Sequence, residues 1–402
     1  MQKLRSDGYE RVGSTCVRRI SVQDLYLSLI CIFPIVTTLF NISLLNQILF
    51  AALVFLHVCS YIERPMKRTT FILLLFFLCH YIYVFAITDP PYENLNLLFY
   101  FPYFLMYSYF VCDHYERIVD WISKRYAYIS FVLLLWTVLV GISVFLPSCY
   151  VTKKDGIFFV SYCDSIFRLG PCAIFVQILG ILCQVFYRKK YAVLYQVIPL
   201  YCFLAGASRT YLLIGLCIFF ISWYIFCGKK KLFWITIVPL GVILGSFFIM
   251  SAIMDRIEYL LDENHYGDFW FRFTSGRSEF WVELLDAWIN TPIYKKLFGN
   301  GFDFSNDTIG IWAHNDFLEI LVSFGILGLI LYCHAIGRLF HSILHDVKLP
   351  RLFMCCSFMI WFFNATFNMH FTYFCAMLSF PFLLLALRRA FSEAETILRE
   401  LK

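Results

Sequence analysis

Three side chains in this 402-residue chain are of the types that bind anions and move protons: Arg209, Arg277 and His314. Arg209 stands beside Ser208 in "GASRTYLL". Arg277 follows Gly276 in "TSGRSEFW". His314 opens "HNDFLEILVSFGILGLILY", which also carries Asn315, Asp316 and Glu319. A guanidinium offers a planar fork of donors that grips oxyanions bidentately and never deprotonates. A glycine lets a backbone approach a ligand closely, and a helix N-terminus beside an arginine is a natural anion site. Imidazole can carry a proton near neutral pH. Two cations and a base are therefore the raw material. What they do depends on the elements that hold them.

Those elements are membrane helices. The chain is 61% hydrophobic and 15% charged, where a soluble domain averages roughly 45–50% apolar and 25% charged. The excess runs along almost the whole length, which excludes a set of soluble domains and predicts an all-α polytopic membrane protein. The 46 Phe, 26 Tyr and 9 Trp fit helix packing and interfacial belts. No cleavable signal peptide is evident, because Lys3, Arg5, Arg11, Arg18 and Arg19 are not followed by a short apolar core with a small-residue cleavage site. Most of the 16 Cys lie in apolar runs, where a thiol behaves as a small hydrophobe. Cys149 and Cys163 share one loop, and whether they form a disulfide is left open.

A span needs ~20 mostly apolar residues, or about 17 at the short end. Twelve runs qualify: 25–42, 45–62, 70–87, 97–112, 128–147, 167–187, 191–206, 210–227, 232–254, 316–337, 352–367 and 370–387. With the N-terminus cytoplasmic, 24 of the 33 basic residues fall in inner segments and every inner loop carries some, as the positive-inside rule requires. The expected division is an inner segment 1–24, spans one to nine over 25–254, a large outer loop 255–315, spans ten to twelve over 316–387, and an inner tail 388–402.

Five of the nine outer basic residues sit in that large loop: Arg256, Arg272, Arg277, Lys295 and Lys296. Long ordered loops carry function more often than not. In "SGRSEFWVELLDAWINTPI", Phe280, Trp281, Leu284, Leu285, Trp288 and Ile289 recur at helical spacing, opposite Glu279, Glu283 and Asp286. This predicts an amphipathic helix of about three turns along the outer interface, stopped by Pro292. In "FGNGFDFSND", Gly299 and Gly301 predict a tight turn. Taken singly these features also suit a lid without chemistry, an Arg that snorkels and a structural His. Their arrangement on one side of the membrane favours a site.

These residues resemble the O-antigen ligase and O-antigen polymerase superfamily. "HNDFLEILVSFGILGL" fits its signature of His-Asn, nine residues, Gly, two residues, Gly, here His314, Asn315, Gly325 and Gly328. "SRT" at 208–210 looks like the family's arginine at the outer end of a middle span. "SGR" at 275–277, Trp281 and the "GNGF" turn look like its periplasmic loop. The resemblance covers roughly residues 200–345. Leu329 stands where the ligase pattern often continues with Thr or Val.

The resemblance implies a GT-C-like bundle in the bacterial inner membrane, with both termini cytoplasmic, a periplasmic site, and glycosyl transfer from an undecaprenyl-diphosphate-linked glycan. Arg209 and Arg277 are then expected to clamp the diphosphate and stabilise its departure. His314 is expected to act as general base on a sugar hydroxyl. Ser208 and Gly276 support the arginines. Asn315 is expected to fix the imidazole or bind sugar, Glu319 to orient the imidazole, and Asp316 to cap the helix. Gly325 and Gly328 are expected to let span ten pack closely on a neighbour. No cofactor is implied, and with no Asp-x-Asp pair or outer His/Asp cluster, metal independence is expected. Direct displacement would invert the anomeric carbon, and no glycosidase-like carboxylate pair is evident.

Within the family, Leu329 and the abundant aromatics tilt the reading towards a polymerase joining repeat units. The alternative is a ligase moving the glycan to lipid A-core. Partners are the lipid-linked oligosaccharide and the bilayer, not nucleic acid, and whether a chain-length regulator binds is left open. A transporter of lipid-linked sugars would place ionisable groups at mid-span. Only His57 and His80 lie well within early spans, and packed or hydrogen-bonded roles suit both. A non-catalytic assembly subunit would not need the two arginines and the histidine.

Overall fold

The computed structural model describes residues 9–12, 15–18, 21–39, 43–63, 65–90, 95–153, 156–163, 165–228, 232–237, 241, 269–368 and 374–400. Helices dominate: α1 (Val22–Leu39), α2 (Ser43–Glu63), α3 (Arg68–Ile87), α4 (Leu95–Lys124), α5 (Tyr126–Ser143), α6 (Ile166–Phe186), α7 (Val197–Ala205) and α8 (Arg209–Cys227). Further along the described residues come four short helices, α9 (Phe269–Thr274), α10 (Arg277–Ile289), α11 (Ile293–Phe298) and α12 (Phe304–Ile309). Three long helices follow: α13 (Asp316–Leu344), α14 (Arg351–Phe367) and α15 (Phe374–Glu400).

Among the described residues, seven helices are long and apolar enough to cross a membrane, and three shorter apolar ones cover Val22–Val36, Lys190–Ala205 and Arg351–Phe367. These ten match ten of the twelve expected spans. The fourth expected span lies in α4, which runs on into the charged stretch Asp113–Lys124. The ninth, 232–254, lies largely outside the described residues. The chain is not purely helical. Among the described residues are two antiparallel hairpins, β1 (Tyr9–Val12) with β2 (Thr15–Arg18), and β3 (Tyr150–Lys153) with β4 (Gly156–Phe159). Cys149 and Cys163 flank the second hairpin as buried free thiols.

α6 is the central post, with 94% of its apolar window buried. Its two glutamines bond α8. Gln177 Nε2 donates to Gly215 O at 3.3 Å, and Gln184 exchanges bonds with Ser222 at 2.8 and 3.3 Å. The mid-span histidines are packed and bonded. His57 Nδ1 meets Tyr26 Oη at 2.7 Å, and His80 Nε2 meets Phe298 O at 2.7 Å. An unpaired polar group in a membrane interior costs several kcal/mol, so these pairings fix how the helices turn their faces to each other. By contrast α2, α3 and α5 keep large apolar side chains exposed, including Phe55, Phe71, Phe76 and Phe131. Those faces suit lipid.

One end of the bundle carries the basic connections. There Arg125 pairs with Asp24 at 2.9 Å, and Arg388 reaches both Asp346 and Ile343 O. The other end gathers the 144–165 hairpin connection, the 206–208 turn and the α9–α12 segment. That end is held by a break in α13. Gly325 has φ +68° and ψ −171°, far from helical. The break releases carbonyls that a continuous helix would use. Val322 O accepts from Asn300 N (3.1 Å) and Asn300 Nδ2 (2.8 Å), and Ser323 O from Gly301 N (3.3 Å). The sequence expected Gly325 and Gly328 to bring two spans together. Instead Gly325 lets the 297–301 turn cross α13: a Cβ there would lie 2.5 Å from Leu297 O. At Gly328 a Cβ would lie 2.2 Å from Phe324 Cβ, across the break in its own helix. The predicted turn at Gly299 and Gly301 is present, with φ +105° and +113°.

Candidate active site

The site is assembled from three stretches far apart in sequence. α7 ends at Ala205, and Ala207 at φ +49° turns the chain so that α8 starts at Arg209 with Ser208 as N-cap. The second stretch is the α9–α10 turn. Ser275 and Gly276 are both left-handed, at φ +58° and +85°. Gly276 N donates to Phe271 O at 2.8 Å, closing α9, and Ser278 N donates to Thr274 Oγ1 at 3.0 Å, opening α10. So Gly276 serves the turn. The wall at this point is made by Thr274, Ser275 and Arg277, and one of the amides expected for an anion is already taken by Thr274.

Arg209 and Arg277 line one cavity of about 300 Å³, the size at which small-molecule sites begin. Arg209 Nη2 donates to Ser275 Oγ at 2.9 Å and lies 3.5 Å from Phe273 O, which ties α8 to the α9–α10 turn. Arg277 Nη1 donates to Phe367 O at 2.5 Å, at the end of α14. Ser208 shares the cavity wall. So do Val151 and Phe158 of the hairpin, Ile166 of α6, and Phe363 and Asn368 of the α14 end. The cavity therefore has a cationic side and an apolar side.

α10 is the amphipathic helix expected, but it docks on protein rather than only along an interface. Leu284 is buried with Ala313, Leu318 and Val322, and Trp281, Leu285 and Trp288 pack around them. Trp281 Nε1 donates to Ala313 O at 2.6 Å. Ile289, expected on the same apolar face, is exposed.

The third stretch is His314 and the start of α13. His314 has a left-handed backbone, φ +51°, rare for a residue with a side chain. Burial, and next the positive charge of Arg277, push its pKa down to about 4. The imidazole is thus neutral at neutral pH and close enough to Arg277 to feel it. Its neighbours act differently from expectation. Asn315, not Asp316, is the N-cap: its Oδ1 accepts from Leu318 N at 3.1 Å. Asp316 is buried and accepts from Tyr332 Oη at 2.8 Å. Glu319 is buried and holds the backbone ahead of His314, where imidazole orientation was expected. One carboxylate oxygen accepts from Ala313 N at 2.8 Å and the other from Ser305 Oγ at 2.6 Å.

The structure thus brings Arg209 and Arg277 to one cavity and His314 beside Arg277. Sequence reasoning missed Ser275 as the partner of Arg209, the α14 end as the partner of Arg277, and the hairpin as a wall. Ser275 stood in the "SGR" run without a role assigned, and Trp281 lies four residues after Arg277, hence on the same helix face. Among the described residues no group of three or more His, Cys, Asp or Glu is placed to hold a metal ion.

No curated protein matches the chain. Residues 194–333 match the family model described as O-antigen ligase, a segment that spans Arg209, Arg277 and His314 and ends within α13. The match covers about a third of the chain, and over that segment the chain is similar to the O-antigen ligase family.

Proposed function

We propose that this protein is a membrane glycosyltransferase that uses a polyprenyl-diphosphate-linked glycan as donor and joins repeat units on the outer face of the bacterial inner membrane. The observation that carries the reading is the pair of arginines on one cavity with a half-buried neutral histidine beside one of them. A lipid diphosphate bound between Arg209 and Arg277 has its charge spread over two guanidinium forks as it leaves. A sugar hydroxyl of the acceptor attacks the anomeric carbon, the carbon–oxygen bond to the diphosphate breaks, and the hydroxyl proton passes to the His314 imidazole. The neutral imidazole is the form that accepts it. Donor diphosphate on Arg277 offsets the positive charge that depresses the His314 pKa, so the base strengthens when substrate is present. Displacement in one step inverts the anomeric centre and uses no metal.

Ligation to lipid A-core is the second reading, which the family described as O-antigen ligase also accommodates. Both reactions use the same donor and the same three residues, so the acceptor alone separates them. The test is complementation of a matching deletion strain with His314→Ala, with protein level checked and surface glycan read on a gel. Loss of long-chain glycan at normal protein level is the expected result. In the deletion strain itself, a single repeat left on lipid A-core marks a polymerase, and loss of all repeats marks a ligase. Normal glycan with His314→Ala refutes the histidine as base.

A further inference from the structure

Ala313, the residue before His314, is gripped through both its N–H and its C=O. Ala313 N donates to buried Glu319 at 2.8 Å, and Ala313 O accepts from Trp281 Nε1 at 2.6 Å. Ala313 itself is buried. Directly after Ala313 the chain takes the left-handed turn at His314, φ +51°, and directly after that Asn315 caps α13. A non-glycine residue keeps such a backbone only where its surroundings over-determine it. Here the surroundings are the two bonds on Ala313 and the cap at Asn315.

The two grips come from different elements. Glu319 belongs to α13, as His314 nearly does. Trp281 belongs to α10 and lies one turn beyond Arg277 on the same face. Both residues also meet the end of α14, Arg277 through its bond to Phe367 O and Trp281 through ring contact with Phe367 at 6.2 Å. The helix that presents one cation therefore also holds the backbone of the base.

We propose that Trp281 and Glu319 are positioning residues for His314: by bonding the C=O and the N–H of Ala313 they lock the left-handed turn that sets the imidazole relative to Arg277. Glu319 acts as a hydrogen-bond acceptor for the backbone, not through its charge or as a proton carrier. The proposal rests on His314 serving as the base, and the test separates the two.

The test reads the histidine directly. Diethylpyrocarbonate acylates neutral imidazole nitrogen, and the His314 peptide is followed by mass spectrometry on the full chain in detergent. Trp281→Phe keeps the ring and loses the N–H. Glu319→Leu loses both acceptors. Glu319→Gln keeps an acceptor for Ala313 N, while the Ser305 hydroxyl can rotate to accept from its amide. Trp281→Phe and Glu319→Leu are expected to speed His314 labelling about tenfold and to lower kcat by about 10- to 100-fold, the scale set by a misplacement near 1 Å. The donor KM stays unchanged, and Glu319→Gln stays near wild type in both readouts.

Unchanged labelling in Trp281→Phe and Glu319→Leu overturns the proposal. So does a Glu319→Gln variant as impaired as Glu319→Leu, since the carboxylate would then act by charge. Faster labelling with unchanged kcat upholds the clamp and refutes His314 as the base. Where Trp281→Phe does not accumulate, the Glu319→Leu and Glu319→Gln pair carries the same decision.

Discussion

Replacing Gly325 by alanine should weaken the protein by about 4 kcal/mol. Two contributions make up that figure. The first is backbone strain. At φ +68° and ψ −171° the residue sits in a region essentially reserved for glycine, and a side chain there costs about 1–3 kcal/mol. The second is the crossing of the 297–301 turn. An added Cβ would lie 2.5 Å from Leu297 O and 2.6 Å from Gly299 N, both backbone atoms that cannot rotate away. Relief of that clash moves the turn off α13 and loosens the bonds from Asn300 N, Asn300 Nδ2 and Gly301 N to Val322 O and Ser323 O. At about 0.5–1.5 kcal/mol per bond, their partial loss adds roughly 2 kcal/mol. The assay is reversible unfolding in mixed micelles titrated with a denaturing detergent, with helicity as the signal. Gly337→Ala is the internal control: it lies in the same helix with nothing within 4 Å of the added carbon, and it should gain up to about 1 kcal/mol. Equal midpoints for the two variants would refute the account of the break, because the two sites differ only in backbone conformation and in what crosses them.

Three further outcomes follow from the geometry. Since burial and Arg277 lower the His314 pKa to about 4, the acid limb of the kcat/KM profile should inflect well below 6.5, and Arg277→Gln should move the inflection upward by removing the positive charge; an inflection at 6.5 that ignores Arg277 contradicts this. The same shift makes the His314 contribution to stability complete above the unfolded value of about 6.5 and lost as pH falls towards 4, which acid titration of the unfolding midpoint in wild type and His314→Ala would detect as a difference confined to that window. Arg209→Lys keeps the charge but cannot bond Ser275 Oγ and grip a diphosphate with one planar fork, so donor KM should rise about tenfold, a change of about 1.4 kcal/mol, with the unfolding midpoint unmoved; an unchanged KM removes Arg209 from the clamp.

Much of this molecule is legible along the chain. Apolar length and basic loops are local properties, so ten of the described helices fall where the hydrophobic runs put them. The amphipathic period of α10 and the paired glycines of the 299–301 turn are equally local. Arg209, Arg277 and His314 stand out because polar groups are costly at membrane helix ends, and all three reach the same region of the fold. What the tertiary structure decided is who meets whom. Asn315 and Asp316 are both capping residues by type, yet the cap falls to Asn315, and Asp316 meets Tyr332, 16 residues on, across the break at Gly325. Gly325 reads as a packing glycine in sequence, yet it breaks its helix because a turn from another segment must cross there. Glu319 reads as a partner for the imidazole, yet its oxygens go to Ser305 and Ala313. Each of these outcomes depends on contacts between residues that share no periodicity in the chain, and such contacts are set only when the helices pack and every buried donor finds its acceptor.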